Sequence, residues 1–104
     1  MSKKIEDIWS NKFSEQLCKA LLSCKNSGEL KAFLRDLLTE EEIREFSLRF
    51  ETARLLANEV PYSQIQGTTG FSTTTIARVS KWMRQGTGGY LTVIERLTRR
   101  TTRN

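Results

Sequence analysis

Apolar side chains recur along this chain at intervals of three and four residues, the spacing that places them on one face of an α-helix. The pattern predicts about six short helices. The first is expected over about residues 4–25, and the second follows it and ends at Asp36. The other four are expected over about residues 39–58, 61–69, 73–85 and 90–97. No segment shows the sustained alternation of polar and apolar residues that is typical of a strand. The expected fold class is therefore all-α.

The segment from Pro61 to Arg84 reads PYSQIQGTTGFSTTTIARVSKWMR and predicts two short helices joined by a tight turn. Gly70 stands where the chain must reverse, and Ser72 is placed to cap the second helix. Four apolar residues are expected to form the core that holds the two helices at their angle: Ile65, Phe71, Ile76 and Val79. This is the pattern of a helix-turn-helix.

In a helix-turn-helix the second helix enters the major groove of DNA with its N-terminal residues at the base edges. Those residues here are Thr73, Thr74 and Thr75, whose hydroxyls donate or accept and whose methyl groups suit thymine. The alternative for each threonine is a helix-capping or merely solvated role. On the first helix, the side chains of Ser63, Gln64 and Gln66 can hold phosphates. Further along the second helix, Arg78 and Lys81 can reach phosphate or guanine.

Charge is divided unevenly along the chain. The formal net charge is +5, but residues 1–60 carry ten Lys or Arg against eleven Asp or Glu, which gives −1. Residues 61–104 carry seven Lys or Arg against the single acid Glu95, which gives +6. A basic half can serve solubility alone, but this charge coincides with the helix-turn-helix pattern. The coincidence favours binding to a polyanion such as double-stranded DNA.

Residue types that catalysis and metal binding need are scarce. The chain has no histidine, and Cys18 and Cys24 lie six positions apart in one predicted helix, so their side chains diverge and cannot pair. No nucleophile–base pair and no zinc-ligand spacing is evident. We therefore expect no enzymatic activity, no metal and no cofactor.

The apolar runs are too short to span a bilayer, and the first residues lack the apolar segment of a signal peptide. These observations predict a cytoplasmic protein, associated with the bacterial nucleoid, with no membrane partner.

The first predicted helix carries an apolar stripe that includes Trp9, Phe13 and Leu17. A chain of 104 residues in short helices buries limited surface by itself. We expect the stripe to pack on a second copy and form an intertwined homodimer. The alternative is that the stripe folds back on its own chain.

Two blocks of the sequence resemble the tryptophan-repressor family, in its less characterised YerC/YecD-type branch of Trp-repressor-related proteins. They are TEEEIREFSLRFETARLLANE and SQIQGTTGFSTTTIARVSKWM, continued by QGTGGY and LTVIERL. The resemblance covers roughly residues 33–97. It implies an all-helical, intertwined homodimer that acts as a transcriptional repressor on a two-fold operator.

The resemblance also implies particular site residues. The DNA-contacting part of the family's first reading helix matches Tyr62, Ser63 and Gln66, and the start of its recognition helix matches Ser72, Thr73, Thr74, Thr75 and Ala77.

The family's effector pocket corresponds here to Thr39, Arg49, Arg78, Val79 and Trp82. Arg49 matches the first of the family's two ligand-sandwiching arginines only with a one-residue shift, and Arg78 matches the second. Val79 stands in place of a glycine and Trp82 in place of a serine, so both side chains intrude on the ligand's space. We therefore expect no response to tryptophan, with Trp82 partly filling the pocket. The reading helices are then either fixed in their DNA-binding arrangement without a ligand or responsive to another ligand.

These interpretations combine into one domain and one function. The domain spans residues 1–98, with dimerisation helices over 1–58, the helix-turn-helix over 61–85 and a C-terminal helix over 90–98, before a basic tail over 99–104. The expected function is a sequence-specific, DNA-binding transcriptional regulator that acts as a repressor. The alternative is a protein-interaction module on the same scaffold, which has no need of an acid-free stretch from Pro61 to Ile94.

Overall fold

The computed structural model describes residues 8–102, and within this range it contains helices and no strand. Its elements are α1 Lys12–Ser23, α2 Ser27–Leu37, α3 Glu40–Ala57, α4 Tyr62–Thr69, α5 Thr73–Gln85 and α6 Gly89–Thr102. The predicted all-α fold class is confirmed. None of the helices in the described range is both long enough and apolar enough to cross a membrane.

The predicted first helix is interrupted, which corrects its continuous assignment over residues 4–25. Residues 8–10 are helical, but Asn11 is extended with φ −71° and ψ 128°, and α1 begins after it. The Asn11 side chain accepts a hydrogen bond from the Phe13 N–H at 2.7 Å. Asparagine is a preferred N-cap because its short side chain satisfies an amide at the helix start. The earlier part of the predicted helix, residues 4–7, lies outside the described residues.

Reciprocal side-chain caps begin the next two helices. The Asn26 side chain accepts from the Glu29 N–H at 2.9 Å, and the Glu29 carboxylate accepts from the Lys25 N–H at 2.9 Å. At the start of α3, the Thr39 hydroxyl accepts from the Glu42 N–H at 3.0 Å while Glu42 accepts from the Thr39 N–H at 2.9 Å. Each pair satisfies two amides that the helix leaves without partners. Local sequence therefore specifies where α2 and α3 begin.

The end of α3 is a Schellman motif built on a residue other than glycine. The Val60 N–H donates to the Leu55 carbonyl and the Glu59 N–H to the Leu56 carbonyl, both at 3.0 Å. Glu59 takes the left-handed conformation that the motif requires, with φ 60°. Pro61 follows as the N-cap of α4, so the chain passes from α3 into the next helix within a few residues.

The chain divides into two compact units, residues 1–43 and 44–104, with the division inside α3. In the first unit, none of the described residues 8–43 is buried. In the second unit, Ala53, Val79 and Met83 form a buried cluster, against which Leu56, Tyr90 and Ile94 pack. One part of the core of the second unit thus lies where α3, α5 and α6 meet.

The last helix is longer than the sequence pattern predicted. It runs from Gly89 to Thr102, so residues 99–102 of the predicted basic tail are helical. No glycine or proline follows Gly89, so nothing in the sequence forces the helix to stop near Leu97. Residues 103–104 of the predicted tail lie outside the described residues.

A glycine inside α4 and the glycine that follows its end predict opposite effects of an alanine substitution on the free energy of unfolding. Gly70 has φ 77°, whereas Gly67 lies inside α4, and a Cβ at either position meets nothing within 4 Å. Gly70→Ala should lower the free energy of unfolding by about 1–2 kcal/mol because a left-handed conformation strains an L-residue. Gly67→Ala should raise it by about 0.5–1 kcal/mol because alanine favours a helix interior.

Urea unfolding of both variants at one protein concentration measures this difference. Equal effects of the two alanines would contradict the assignment of Gly70 to the left-handed turn.

Candidate nucleic-acid interface

The turn between α4 and α5 is held by Gly70 and by the buried hydroxyl of Thr69. The Gly70 N–H donates to the Gln66 carbonyl at 2.8 Å. The Thr69 hydroxyl donates to the Ile65 carbonyl at 2.9 Å and accepts from the Phe71 N–H at 3.1 Å. One side chain therefore ties the end of α4 to the start of the turn. Sequence reasoning missed Thr69, because nothing in the sequence distinguishes it from the exposed Thr68 beside it.

α4 and α5 each contribute one fully buried side chain to the helix pair. Ile65 of α4 and Ile76 of α5 are completely inaccessible to solvent. Val79, one turn after Ile76, joins α5 to the cluster with Ala53 and Met83. The predicted core role of these three residues is confirmed, while Phe71 is only half-buried. Packing on both sides thus positions α5 and leaves Thr73 and Thr74 of its first turn exposed to solvent.

Ser72 begins α5 as predicted. Its hydroxyl accepts from the Thr75 N–H at 3.2 Å, and the hydroxyls of Ser72 and Thr75 lie 3.2 Å apart. Thr75 is half-buried, whereas Thr73 and Thr74 are exposed. Within residues 8–102 the hydroxyls of Thr73 and Thr74 make no hydrogen bond. The cap therefore divides the three threonines into one engaged residue and two that are open to a ligand.

The remaining predicted contact residues lie on the surfaces of the same two helices. Each is exposed in the structure: Tyr62, Ser63, Gln64 and Gln66 on α4, and Ala77, Arg78 and Lys81 on α5. Among the described residues, neither Arg78 nor Lys81 forms an ion pair. The first turn of α5 contains no acid. The arrangement presents hydroxyls and cations together, without a carboxylate to compete with a phosphate.

A cavity of about 530 Å³ lies beside α5 in the second unit. Its lining residues come from α3, from α5, from the loop before α6 and from the start of α6. They are Glu45, Arg49, Thr75, Arg78, Val79, Trp82, Thr87, Gly89 and Tyr90. Four of the five predicted effector residues are brought together here. The fifth, Thr39, is not among the lining residues and instead caps α3.

Some polar groups of the cavity already have interaction partners within the protein, and others do not. The Arg49 guanidinium donates to the Glu45 carboxylate at 3.1 Å and lies 5.3 Å from the centre of the Phe46 ring. Arg78 has no such partner among the described residues. Burial raises the pKa of the Tyr90 phenol, and the positive charge of nearby Arg49 partly offsets this rise. The phenol is therefore neutral at pH 7. Glu45 was detectable from its i,i+4 spacing to Arg49, but Tyr90 gave no sequence signal.

Trp82 forms part of the cavity wall and remains 55% exposed. Gly86 makes room for it, because a Cβ at that position would collide with the Trp82 carbonyl oxygen and lie 3.0 Å from the ring atom Cε3. The space in front of the indole stays open, so volume alone does not exclude a ligand of amino-acid size. The absence of a tryptophan response stays a prediction.

Neither the helix-turn-helix nor the cavity contains a cluster that can hold a metal. In the part of the chain that the structure describes, no three His, Cys, Asp or Glu side chains are grouped for this purpose. Cys18 and Cys24 are both free thiols.

The elements from α3 to α6 therefore define an all-helical protein of the helix-turn-helix class, with an exposed cationic second helix. The family model described as Trp repressor protein matches residues 13–98, and the chain belongs to the Trp repressor family. At the level of the family, this makes it a DNA-binding regulator.

Relatives from three bacteria agree with this family. The uncharacterised protein YerC of Bacillus subtilis (strain 168) is 36% identical over 83 residues, which are 80% of each chain. The crystal structure of a TrpR-like protein from Eubacterium eligens ATCC 27750 matches with a TM-score of 0.84 at 39% identity, covering 88% of this chain and 95% of that one. A Staphylococcus aureus protein provisionally described as a Trp repressor matches with a TM-score of 0.80 at 30% identity, covering 85% and 88%.

Proposed function

We propose that this protein is a sequence-specific transcriptional repressor that reads the major groove of DNA with α5. The observation that carries the proposal is the pair of unpartnered, exposed hydroxyls of Thr73 and Thr74 at the start of this helix. Hydroxyls at a recognition-helix N-terminus can donate to or accept from base edges, and their methyl groups can contact thymine. Thr75 has a different role, because its hydroxyl is already within hydrogen-bond distance of the Ser72 hydroxyl. We assign Thr75 to shaping the tip of α5, and Thr73 and Thr74 to reading bases.

The exposed polar residues of α4 supply the contacts that set the register on DNA. Hydroxyl and amide groups bind phosphate oxygens without reading sequence. Tyr62, Ser63, Gln64 and Gln66 have this role, and Ala77 of α5 offers a small surface that lets the helix approach the bases closely. Arg78 and Lys81 add positive charge further along α5, where neither is engaged by an acid within the described residues. The contacts together favour a polyanion over an acidic protein partner.

The protein acts as a homodimer in this proposal, with the first unit as the interface. The apolar stripe of the first helical segment is open to solvent in the single chain, and Phe13 is 69% exposed. None of the described residues in this unit is buried, so the chain alone gives these helices no core. A second copy covers the stripe and provides two reading helices for a two-fold operator. Its place of action is the bacterial nucleoid, in the cytoplasm.

The cavity beside α5 is the proposed effector site. It shares Arg78 with the proposed phosphate contacts and Thr75 with the tip of α5. A bound molecule there touches the same helix that enters the groove, so it can change the affinity for DNA. Tryptophan is not the proposed effector, and no cofactor is required.

Substitutions on α5 separate base reading from phosphate binding. Thr74→Ala should cost about 1–3 kcal/mol of binding free energy at the preferred site and leave binding to random duplex nearly unchanged. Lys81→Ala should weaken binding to all sequences alike, because a phosphate contact carries no sequence information. Gel-shift titrations on the site selected from a random duplex pool, and on random duplex, measure both effects.

The exposed Thr92 of α6 supplies the matched control, and Thr92→Ala should change neither titration. If Thr74→Ala weakened both duplexes by the same factor, the assignment of this threonine to base reading would be wrong.

A second pair of substitutions tests the dimer. Phe13→Glu should raise the dimer dissociation constant by at least about 100-fold, because the interface loses an apolar side chain and gains a carboxylate in both copies. Leu22 lies on the opposite face of α1 and is 80% exposed, so Leu22→Glu adds the same charge outside the stripe. Sedimentation velocity across a concentration series compares the two variants with the unmodified chain. A monomeric unmodified chain, or equal dissociation by both variants, would contradict the proposed interface.

A further inference from the structure

Thr69, the last residue of α4, carries a hydroxyl group that is buried and hydrogen-bonded on both sides. The residue is 8% exposed. Its hydroxyl donates to the Ile65 carbonyl at 2.9 Å and accepts from the Phe71 N–H at 3.1 Å. Burying a hydroxyl without partners is costly, and valine would fill a similar volume without that cost. The particular contribution of this side chain therefore lies in its two hydrogen bonds.

The neighbouring Thr68 shows which of the two bonds is unusual. Its hydroxyl also donates to the carbonyl four residues earlier, that of Gln64, at 3.2 Å. Thr68 is exposed, and within residues 8–102 its hydroxyl makes no bond to the turn. A threonine at the end of a helix thus makes the first kind of bond without any role in the turn. The bond to the Phe71 N–H distinguishes Thr69.

The Phe71 N–H lies where the chain is least constrained by its own backbone. Gly70 reverses the chain with φ 77°, and a glycine permits this conformation without enforcing it. Phe71 is followed directly by Ser72, the N-cap of α5. A hydrogen bond to the Phe71 amide fixes the peptide unit after the glycine and limits rotation of the chain between the two helices. Thr69 therefore holds the start of α5 from the α4 side.

The body of α5 is held by other contacts, because Ile76 and Val79 are buried in the core. Loss of the Thr69 hydroxyl therefore leaves the helix in place and loosens its first turn, which carries the exposed Thr73 and Thr74. Hydrogen bonds to base edges need donor–acceptor distances correct to about half an ångström. The attraction between a cation and a phosphate changes slowly with distance. A loosened first turn thus weakens base reading more than phosphate binding.

We infer that the buried hydroxyl of Thr69 is a positioning group for base reading, an inference that rests on the proposed function of α5. Through the Phe71 N–H it holds the first turn of α5, so that Thr73 and Thr74 meet the base edges at one defined angle. Its loss lowers the discrimination between DNA sequences and leaves the general attraction for DNA. Thr69 itself touches no base, because its side chain is buried.

Gel-shift titrations of three variants, on the selected site and on random duplex, test the inference through the ratio of the two association constants. Thr69→Val keeps the shape of the side chain and removes both bonds, so it should lower this ratio at least about tenfold. Thr69→Ser keeps the hydroxyl and should hold the ratio within about threefold. Thr68→Val is the matched control, since it removes a hydroxyl that does not reach the turn, and it should leave the ratio unchanged.

Two results of these titrations would overturn the inference. Equal losses in Thr69→Val and Thr69→Ser would show that the hydroxyl is not the group that matters. The same loss in Thr68→Val would show that any change at the end of α4 has this effect. Circular dichroism checks the helical content of each variant.

A double variant shows whether Thr69 acts through the reading threonines. If it does, Thr74→Ala has less discrimination left to remove once the Phe71 contact is gone. The loss caused by Thr74→Ala should therefore be at least about threefold smaller in the Thr69→Val background than in the unmodified chain. Equal losses in the two backgrounds would contradict the positioning role.

Amide hydrogen exchange of the unmodified chain, followed by NMR, keeps the test independent of any variant's folding. The Phe71 N–H should exchange at least about tenfold more slowly than the Thr73 N–H, which the start of α5 leaves without a helical partner. Equal exchange of the two amides would show that the Thr69 contact does not hold the turn.

The unmodified chain also separates this inference from the proposed function. Discrimination by the unmodified chain that persists fully in Thr69→Val overturns the positioning role alone. If no site is selected from the random duplex pool, or if the unmodified chain binds all duplexes equally, the proposed function is wrong and the positioning role is overturned with it.

Discussion

The structure depends on the buried contact surface that α4 and α5 share. Ile65 and Ile76 are each fully buried, and removing one such side chain from water contributes about 1.5–3 kcal/mol. Gly70 permits the reversal between the helices at a positive φ, and the Thr69 hydroxyl accepts from the Phe71 N–H within the turn. On its other side, α5 is held to α3 through Val79 and Ala53. A helix fixed on two sides can present its first turn to a groove at a defined angle.

Function follows from what this fixed helix carries on its open surfaces. Polar side chains without partners cost little at an exposed helix start and become specific contacts when a ligand arrives. The acid-free stretch from Pro61 to Ile94 surrounds them with positive charge, while the acids are concentrated in the first sixty residues. The cavity on the neighbouring face of α5 shares Arg78 with this surface and also includes Thr75. Under the proposed function, DNA reading and effector binding therefore involve the same two turns of one helix.

Much of this arrangement could be predicted from local sequence, because its signals lie within a few residues of one another. The caps at Thr39 and Ser72 and the reversal at Gly70 depend on hydrogen bonds and φ values that the adjoining residues determine. Asn11 was missed because it interrupts an apolar stripe whose spacing continues on both sides of it. The sequence pattern ends α6 too early because the apolar spacing stops near Leu97, although the arginines that follow are good helix formers. The cavity was the hardest part, since Tyr90 joins it only when α6 packs against α5 and α3.

The most direct test of the account is the salt dependence of binding to a random DNA duplex. Electrostatic contacts release counterions from the duplex, so the affinity falls steeply as salt rises. If a dimer neutralises six to ten phosphates, the association constant should drop by ~10³ or more between 50 and 200 mM salt. An association constant that stays nearly constant across this range, or no detectable binding at 50 mM, would contradict the claim that α4 and α5 form a DNA-binding surface.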